Sequence, residues 1–471
     1  MLDILSLDAS TLAKKIRHRE ISSQGATNIY IQRIQQVNSK INAVVEDRFD
    51  EARKEAKACD QAIADGTAQG KLFGVPISMK ECFSVTGMRT TGGLPFRKNE
   101  IDGEDAEMVK KLRQEGAIIL AKTNTPSLCL CQETDNALYG RTNNPWNLTR
   151  TVGGSTGGEA ALIAVGGAAV GIGADIGGSI RFPAHFNGVV GFKSGQNQVN
   201  PLGHYPLFEE TTQSSMIGLG ALAKSVKDTE LIHSIIADHP ITQMELDKFE
   251  YIAPQLSTTF PMSQTTISLI DELRAHLKLH NTVHLEPVLH LGKAALWWQK
   301  IMSYDGGKTV VELIANGKWL TIYKQYASSV FGVETPLHPY LTWALMGMQL
   351  FKPNPAEWNQ LKKDLQKARQ EVHQFLQKKI LVLPVYHSAA PNHGEVYREI
   401  FSIRKTFLQY MPYVAYANTF ALPSLVIPVG EDQDGMPISI QFITANGQES
   451  ALFQAGYEIE QSFRGYKRCE L

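Results

Sequence analysis

The sequence predicts an α/β protein, a β-sheet covered by helices on both faces, with a helical cap inserted late in the chain. Three observations point there. Short apolar runs alternate with amphipathic stretches along most of the chain. The 471 residues are 43% hydrophobic and 20% charged, ordinary values for a soluble globular protein. Residues 240–354 break the strand-helix rhythm with scattered aromatics.

In chain order, residues 9–66 read as helical, with Leu12 and Ile16 sharing a face, as do Ile34 and Val37, before an alanine-rich charged stretch from Glu51. GVPISMK (74–80) is a short apolar strand ending on Lys80. EDAEMVKKLRQEG (104–116) reads as a helix stopped by Gly116, and AIILAK (117–122) as a buried strand. Residues 157–194 supply a small-residue helix through Ala164, a strand AAVGIGA, a turn at 175–178, a helix from Ser179 and a strand GVVGFK. An amphipathic helix follows the cap at 355–379, where Trp358, Leu361, Leu365, Ala368, Val372 and Phe375 recur at 3–4 spacing. ILVLPVY (380–386), LPSLVIPVG (422–430) and PISIQFIT (437–444) are strands, and a last helix runs from about Glu449. Helix after strand in this rhythm implies a sheet covered on both faces. A single domain, 1–471, is expected: N-terminal helices (1–66), a core (67–200), the cap (about 240–354) and C-terminal helices and strands (355–471).

The 46 basic and 47 acidic residues nearly cancel, so no general attraction for nucleic acid or an anionic membrane is expected. The five cysteines form no regular framework, and reduced thiols in a cytoplasmic chain are the plain reading. Cys129 and Cys131 lack a second pair at zinc-ligand spacing, so no metal is expected. Asp3 and Asp8 interrupt what a secretory leader would need as an apolar core.

Two glycine-serine clusters carry the candidate chemistry, TVGGSTGGEAAL (151–162) and DIGGSIRF (175–182). A phosphate loop would need a lysine that neither contains; the nearest Lys-Ser pair, Lys193-Ser194, follows Phe192. Gly153 to Gly157 satisfies G-x-S-x-G, with His387 or His393 as possible partners, but such an elbow follows a buried strand, and NPWNLTRTV before it is polar. Structural duty is the third reading: glycines for tight packing, Ser179 as a helix N-cap and Arg181 on a buried carboxylate. On the clusters alone these stay open.

Taken with Lys80 at the end of GVPISMK, the two clusters resemble the amidase signature family of serine hydrolases. GGSTGGEAALIAVGGAAVGIGADIGGSIRFPAHFNGVVGFK follows that signature nearly throughout. KECFSVTG, YGRTNNPWN, GGEAALI and IGGSIRFPAHFNG are most similar to fatty-acid amide hydrolases. The resemblance implies the amidase signature fold, with a central twisted mixed sheet. It implies a serine amidase that hydrolyses a carboxylic amide to acid and amine or ammonia through an acyl-enzyme on Ser179. Ser155 would be the bridging serine and Lys80 the base; burial, which disfavours an ammonium, would suit that role. The family holds the bridging serine through a cis peptide, here Gly154–Ser155.

The resemblance further implies that the backbone N–H groups of Ile176, Gly177 and Gly178, with that of Ser179, face the oxyanion. The Cys129 carbonyl would touch substrate, and Asp175 and Arg181 would be a buried pair bracing the loop. No cofactor is implied. Two departures stand out, Thr156 where many members carry serine and Ser194 where proline is common. The expected partner is a small-molecule amide, with fatty-acid amides foremost, and a homodimer or peripheral membrane contact stays open. The aromatics Trp319, Tyr323, Tyr326, Phe331, Tyr340, Trp343 and Phe351 would receive an acyl group or simply fill core. A general small-amide or aryl-amide hydrolase is the first rival. An A-type amidotransferase component of a tRNA-dependent complex is more remote, since RFPAHF stands where such proteins read Arg-Gln-Pro.

Overall fold

The computed structural model describes residues 3–255, 261–401 and 405–471. Its strands are β1 (Val44–Asp47), β2 (Pro76–Lys80), β3 (Ile118–Thr123), β4 (Val170–Asp175), β5 (Val190–Lys193), β6 (Gly218–Ala223), β7 (Glu250–Ile252), β8 (Val283–His284), β9 (Lys379–Pro384), β10 (Ser424–Glu431) and β11 (Pro437–Ile443). They form one mixed sheet in the order β1-β3-β2-β4-β6-β5-β10-β11-β9-β7-β8.

β2 runs parallel to both β3 and β4, with Ile77 opposite Ile119 and Met79 opposite Ile172. Every residue of these three strands is buried. Both faces are therefore covered, which is why their sequences run apolar without alternation. From β4 to β9 the neighbours are antiparallel, and the far edge β9-β7-β8 is parallel again. Ile380 and Val382 of β9 join one apolar cluster with Leu425 and Ile427 of β10, whereas Leu381, Leu383 and Val426 join another. The two-residue period of a strand thus feeds two cores on opposite faces. The helix Glu449–Ser462 packs on β10 with Phe453 and Ile459 in the first core, and the helix Arg181–Asn187 packs on β10 and β11 with Phe182 and Phe186 in the second.

Local chemistry sets the helix ends. Asn354 and Glu357 form a reciprocal capping box ahead of Pro355, at the start of the helix Pro355–Phe375. Asp8 and Ser22 cap the first two α-helices, accepting from the backbone of Thr11 and Gly25.

Three elements differ from expectation. Within the stretch read as helical, the helix Ser23–Ile41 ends on left-handed Asn42 and β1 follows, antiparallel to β3. β6, read as no element, lies in mid-sheet between β4 and β5. Its glycines weaken the strand signal, and close packing is the reason for one of them: a Cβ on Gly220 would lie 1.9 Å from the Phe192 carbonyl oxygen. Third, the cap begins later than residue 240. β7, the helix Gln264–Leu277 and parallel β8 extend the sheet, and the helical layer comprises Leu291–Met302, Lys308–Ala315, Trp319–Val330 and Pro339–Leu350. Among the described residues, no helix is long and apolar enough to cross a membrane.

Gly220→Ala should test the tight strand contact, because the conflicting atom is backbone and cannot rotate away. We expect a loss on the order of 1–3 kcal/mol, measured as a lower urea midpoint at unchanged slope. A midpoint equal to the parent's would refute the contact.

Candidate active site

The parallel pairing of β2 with β4 brings their carboxyl ends to one edge of the sheet, the place where open α/β sheets tend to carry ligand sites. Lys80 closes β2 and Asp175 closes β4. Lys80 is fully buried, and its Nζ donates to Ser155 Oγ at 2.7 Å. Ser155 follows a cis Gly154–Ser155 peptide just before the helix Gly157–Ala164. Thr125 Oγ1 donates to the Ser155 carbonyl at 2.9 Å, and Thr134 Oγ1 to that of Gly153 at 2.8 Å. The Thr156 N–H donates to the Ser179 carbonyl at 3.0 Å, which ties the two serine segments together. No hydrogen bond joins the two serine hydroxyls among the described contacts. Ser179 is not an N-cap either, since the next helix starts after Ile180 without a side-chain cap.

Beneath this arrangement lies Glu159, fully buried, which accepts from Ser78 Oγ at 2.6 Å and Thr123 Oγ1 at 2.8 Å. Burial raises its pKa to about 8, against the opposing pull of those hydroxyls and Lys80, so it is protonated at neutral pH.

The turn after β4 is held from behind. Arg181 Nε and Nη2 each donate to the Asp175 carboxylate at 3.0 Å, and both side chains are fully buried. Arg181 Nη1 also reaches the Val414 carbonyl at 2.8 Å and Gln441 Oε1 at 3.0 Å, and Nη2 reaches Asn418. Burial alone would raise the Asp175 carboxyl, but the Arg181 guanidinium holds it well below the usual carboxylate range. Asp175 and Arg181 thus form a fully buried ion pair across the turn.

Gly178 requires a correction. Its N–H donates to Asp175 Oδ1 at 2.8 Å, so it is not a free oxyanion donor. Its φ of +95° is the left-handed conformation this turn needs. The N–H groups of Ile176, Gly177 and Ser179 have no acceptor among the described contacts and remain the available donors. Two side chains that sequence reasoning missed hold carbonyls of this turn. Trp298 Nε1 donates to the Ile176 carbonyl at 2.7 Å and Gln132 Nε2 to that of Gly177 at 3.2 Å. In a trans peptide the following N–H points the opposite way, so Trp298 turns the Gly177 donor away from itself. No spacing rule links either residue to the loop.

The loop opens on a cavity of about 280 Å³. Ser179, Ile176, Gly177 and Cys129 line it together with Trp298, Met302, Trp343, Met348, Phe351 and Phe407, among others. Of the other cap aromatics, Tyr326 packs on Trp343 with ring centroids 5.6 Å apart and Tyr340 stacks on Tyr397 at 3.9 Å. Trp319 packs on Tyr323, while Phe331 is 84% exposed. The departures are accommodated: Thr156 Oγ1 donates to the Ala174 carbonyl at 3.3 Å, and Ser194 Oγ accepts from the Leu219 N–H at 3.1 Å. His387 pairs with Glu399 and His393 with the Leu148 carbonyl, so neither partners Ser155. Among the described residues, Cys82, Cys129 and His204 form a group able to ligate a metal ion.

The chain matches the profile of the family described as Amidase over residues 25–453. Fatty-acid amide hydrolase 2-A of Danio rerio is 30% identical to it, covering 98% of this chain and 90% of the relative. Fatty-acid amide hydrolase 2 of Homo sapiens is likewise 30% identical, with the same coverage of 98% and 90%. The crystal structure of peptide amidase from Stenotrophomonas maltophilia has the same fold, with a TM-score of 0.80 at 23% identity and 98% coverage of each chain.

Asp175→Asn should destabilise the protein by about 3–5 kcal/mol, because it leaves the Arg181 charge buried without its partner. Since the folded carboxyl titrates below its unfolded value, the wild-type contribution is complete above the ordinary aspartate range and lost only as pH falls below it. Thermal melts at pH 7 and at strongly acid pH measure both. A variant as stable as wild type at pH 7 would show that the pair is not a brace.

Proposed function

This chain belongs to the amidase signature family and is a hydrolase acting on amide bonds, and from that premise we propose that Ser179 is its nucleophile, Ser155 the bridging serine and Lys80 the base. The observation that carries this reading is the 2.7 Å hydrogen bond between buried Lys80 Nζ and Ser155 Oγ, next to the loop bearing Ser179. Ser179 Oγ attacks the amide carbon while Ser155 takes its proton and passes its own to the Lys80 amine. The carbonyl π electrons move onto oxygen, where the N–H groups of Ile176, Gly177 and Ser179 stabilise the oxyanion. The proton returns through Ser155 to the departing nitrogen, the C–N bond breaks, and an acyl-Ser179 ester remains. Water then attacks that ester by the same relay and releases the acid.

For substrate we propose a fatty-acid amide. The cavity against Ser179 is walled mostly by apolar side chains, among them Met302, Trp343, Met348 and Phe351. Its methionines adapt to irregular apolar groups. Near its wall, Leu350 is 63% exposed, and Leu320, Val330 and Phe331 on the same helical layer are likewise exposed. That supports peripheral contact with a lipid surface as the route of entry.

Ser179→Ala should lose labelling by a fluorophosphonate probe while its thermal transition stays unchanged, and full labelling of that variant would remove Ser179 from the role. For the substrate, kcat/KM across linear primary amides of two to sixteen carbons should rise about fourfold per CH₂, the equivalent of about 0.8 kcal/mol, until the cavity is full. Liposome flotation alongside reads the surface contact. A preference for short or aryl amides would leave a general small-amide hydrolase instead.

A further inference from the structure

We propose that Cys82, Cys129 and His204 form a binding site for a thiophilic divalent cation such as Zn²⁺, and that the bound ion switches hydrolysis off. Spacing along the chain argued against any metal site, because Cys129 and Cys131 lack a second pair at zinc-ligand spacing; Cys82 and His204 lie far from Cys129 in sequence. The fold brings them together: Cys82 follows the end of β2, Cys129 closes the short turn Ser127–Cys129 after β3, and His204 precedes Pro206 in a loop against Phe83. Their ligand atoms all lie within 4.8 Å of one another. Tetrahedral zinc with Zn–S near 2.3 Å and Zn–N near 2.0–2.1 Å needs ligand atoms about 3.5–3.8 Å apart, a contraction that side-chain torsions can supply.

The ligand chemistry also fits. Cys82 and Cys129 are both free thiols, neither tied up in a disulfide. His204 Nδ1 lies 3.0 Å from the Pro206 carbonyl, which can only accept, so Nδ1 carries the hydrogen and the lone pair is on Nε2. An outer partner of that kind fixes the tautomer of metal-bound histidines. Thr125 Oγ1, 3.3 Å from Cys129 Sγ, is a second outer partner. Cys82 and His204 are buried, whereas Cys129 is half-buried and is one of the residues lining the cavity, the side from which an ion would enter.

Binding forms two metal–thiolate bonds and one metal–imidazole bond and releases two thiol protons to solvent, so the site stays near neutral overall. The ion would occupy the cavity wall next to Ser179 and two residues beyond Lys80, where a substrate carbonyl has to pass. This inhibitory effect rests on the proposed role of Ser179; the binding itself does not.

The test titrates the full-length, reduced and chelator-treated protein with Cd²⁺, following the ultraviolet cadmium–thiolate charge-transfer band, and with Zn²⁺ against a chromophoric chelator. One ion per chain with a thiolate band is expected, together with loss of amide hydrolysis that a chelator restores. Cys82→Ser and His204→Gln should keep metal-free turnover. Each should weaken binding by more than the roughly 10- to 100-fold that loss of an outer partner costs. The absence of a stoichiometric thiolate band in the wild type, or its survival in both variants, overturns the site. A full band with undiminished hydrolysis overturns the inhibition. If Ser179→Ala keeps its probe labelling, the nucleophile assignment fails, and the spectroscopic result is unaffected.

Discussion

A buried ion pair is tolerated only when its remaining donors and acceptors are filled, and Asp175 with Arg181 meet that condition using groups from both halves of the chain. The carboxylate sits at the end of β4 and takes the Gly178 and Ile180 N–H groups. The guanidinium reaches forward to Val414, Asn418 and Gln441 in the C-terminal helices and strands. A turn that would otherwise be free to flex is thereby locked between two charges. The direction of each backbone donor in it follows from that lock and from the Trp298 and Gln132 contacts on its carbonyls. Most of the polar machinery therefore serves geometry, and few groups are left to meet substrate.

The floor of the site is polar for a related reason. Ser78, Lys80 and Thr123 of the parallel strands β2 and β3, and Glu159 of the helix Gly157–Ala164, are all buried. Glu159, kept protonated by burial, satisfies the hydroxyls of β2 and β3 without adding a negative charge beside Lys80. A carboxylate there would draw the lysine into an ion pair. A neutral acid leaves the Lys80–Ser155 contact as the dominant one, as a proton relay requires.

The helical layer over the cavity is built differently. Its aromatics divide between packing and lining: Tyr326 rests on Trp343, while Trp343 and Phe351 face the cavity. Met302, Met346 and Met348 line the cavity as well. A rigid polar loop in the wall of an adaptable apolar chamber suits a reaction with one fixed chemical centre and a variable apolar appendage.

The strands from β2 to β5 and from β9 to β11, apart from β6 to β8, were legible because burial on both faces writes itself as an unbroken apolar run. β6 was not, since the closeness of Phe192 demands glycine where a strand signal would need a β-branched residue. β7 and β8 were hidden by their shortness. Lys80, Ser155 and Ser179 were picked out by motif, and so was the Asp175–Arg181 brace, whose partners lie six residues apart and meet within one turn. The sequence alone determined the alternation of strand and helix, and which hydroxyls and amine were candidates, because those depend on local pattern. Only the tertiary structure decided that the Gly178 N–H is spent on Asp175, that Trp298 and Gln132 aim the loop, and that Cys82, Cys129 and His204 meet. The first is a local contact whose direction depends on the turn's exact backbone angles. The others depend on where distant segments cross, which leaves no periodicity in the chain.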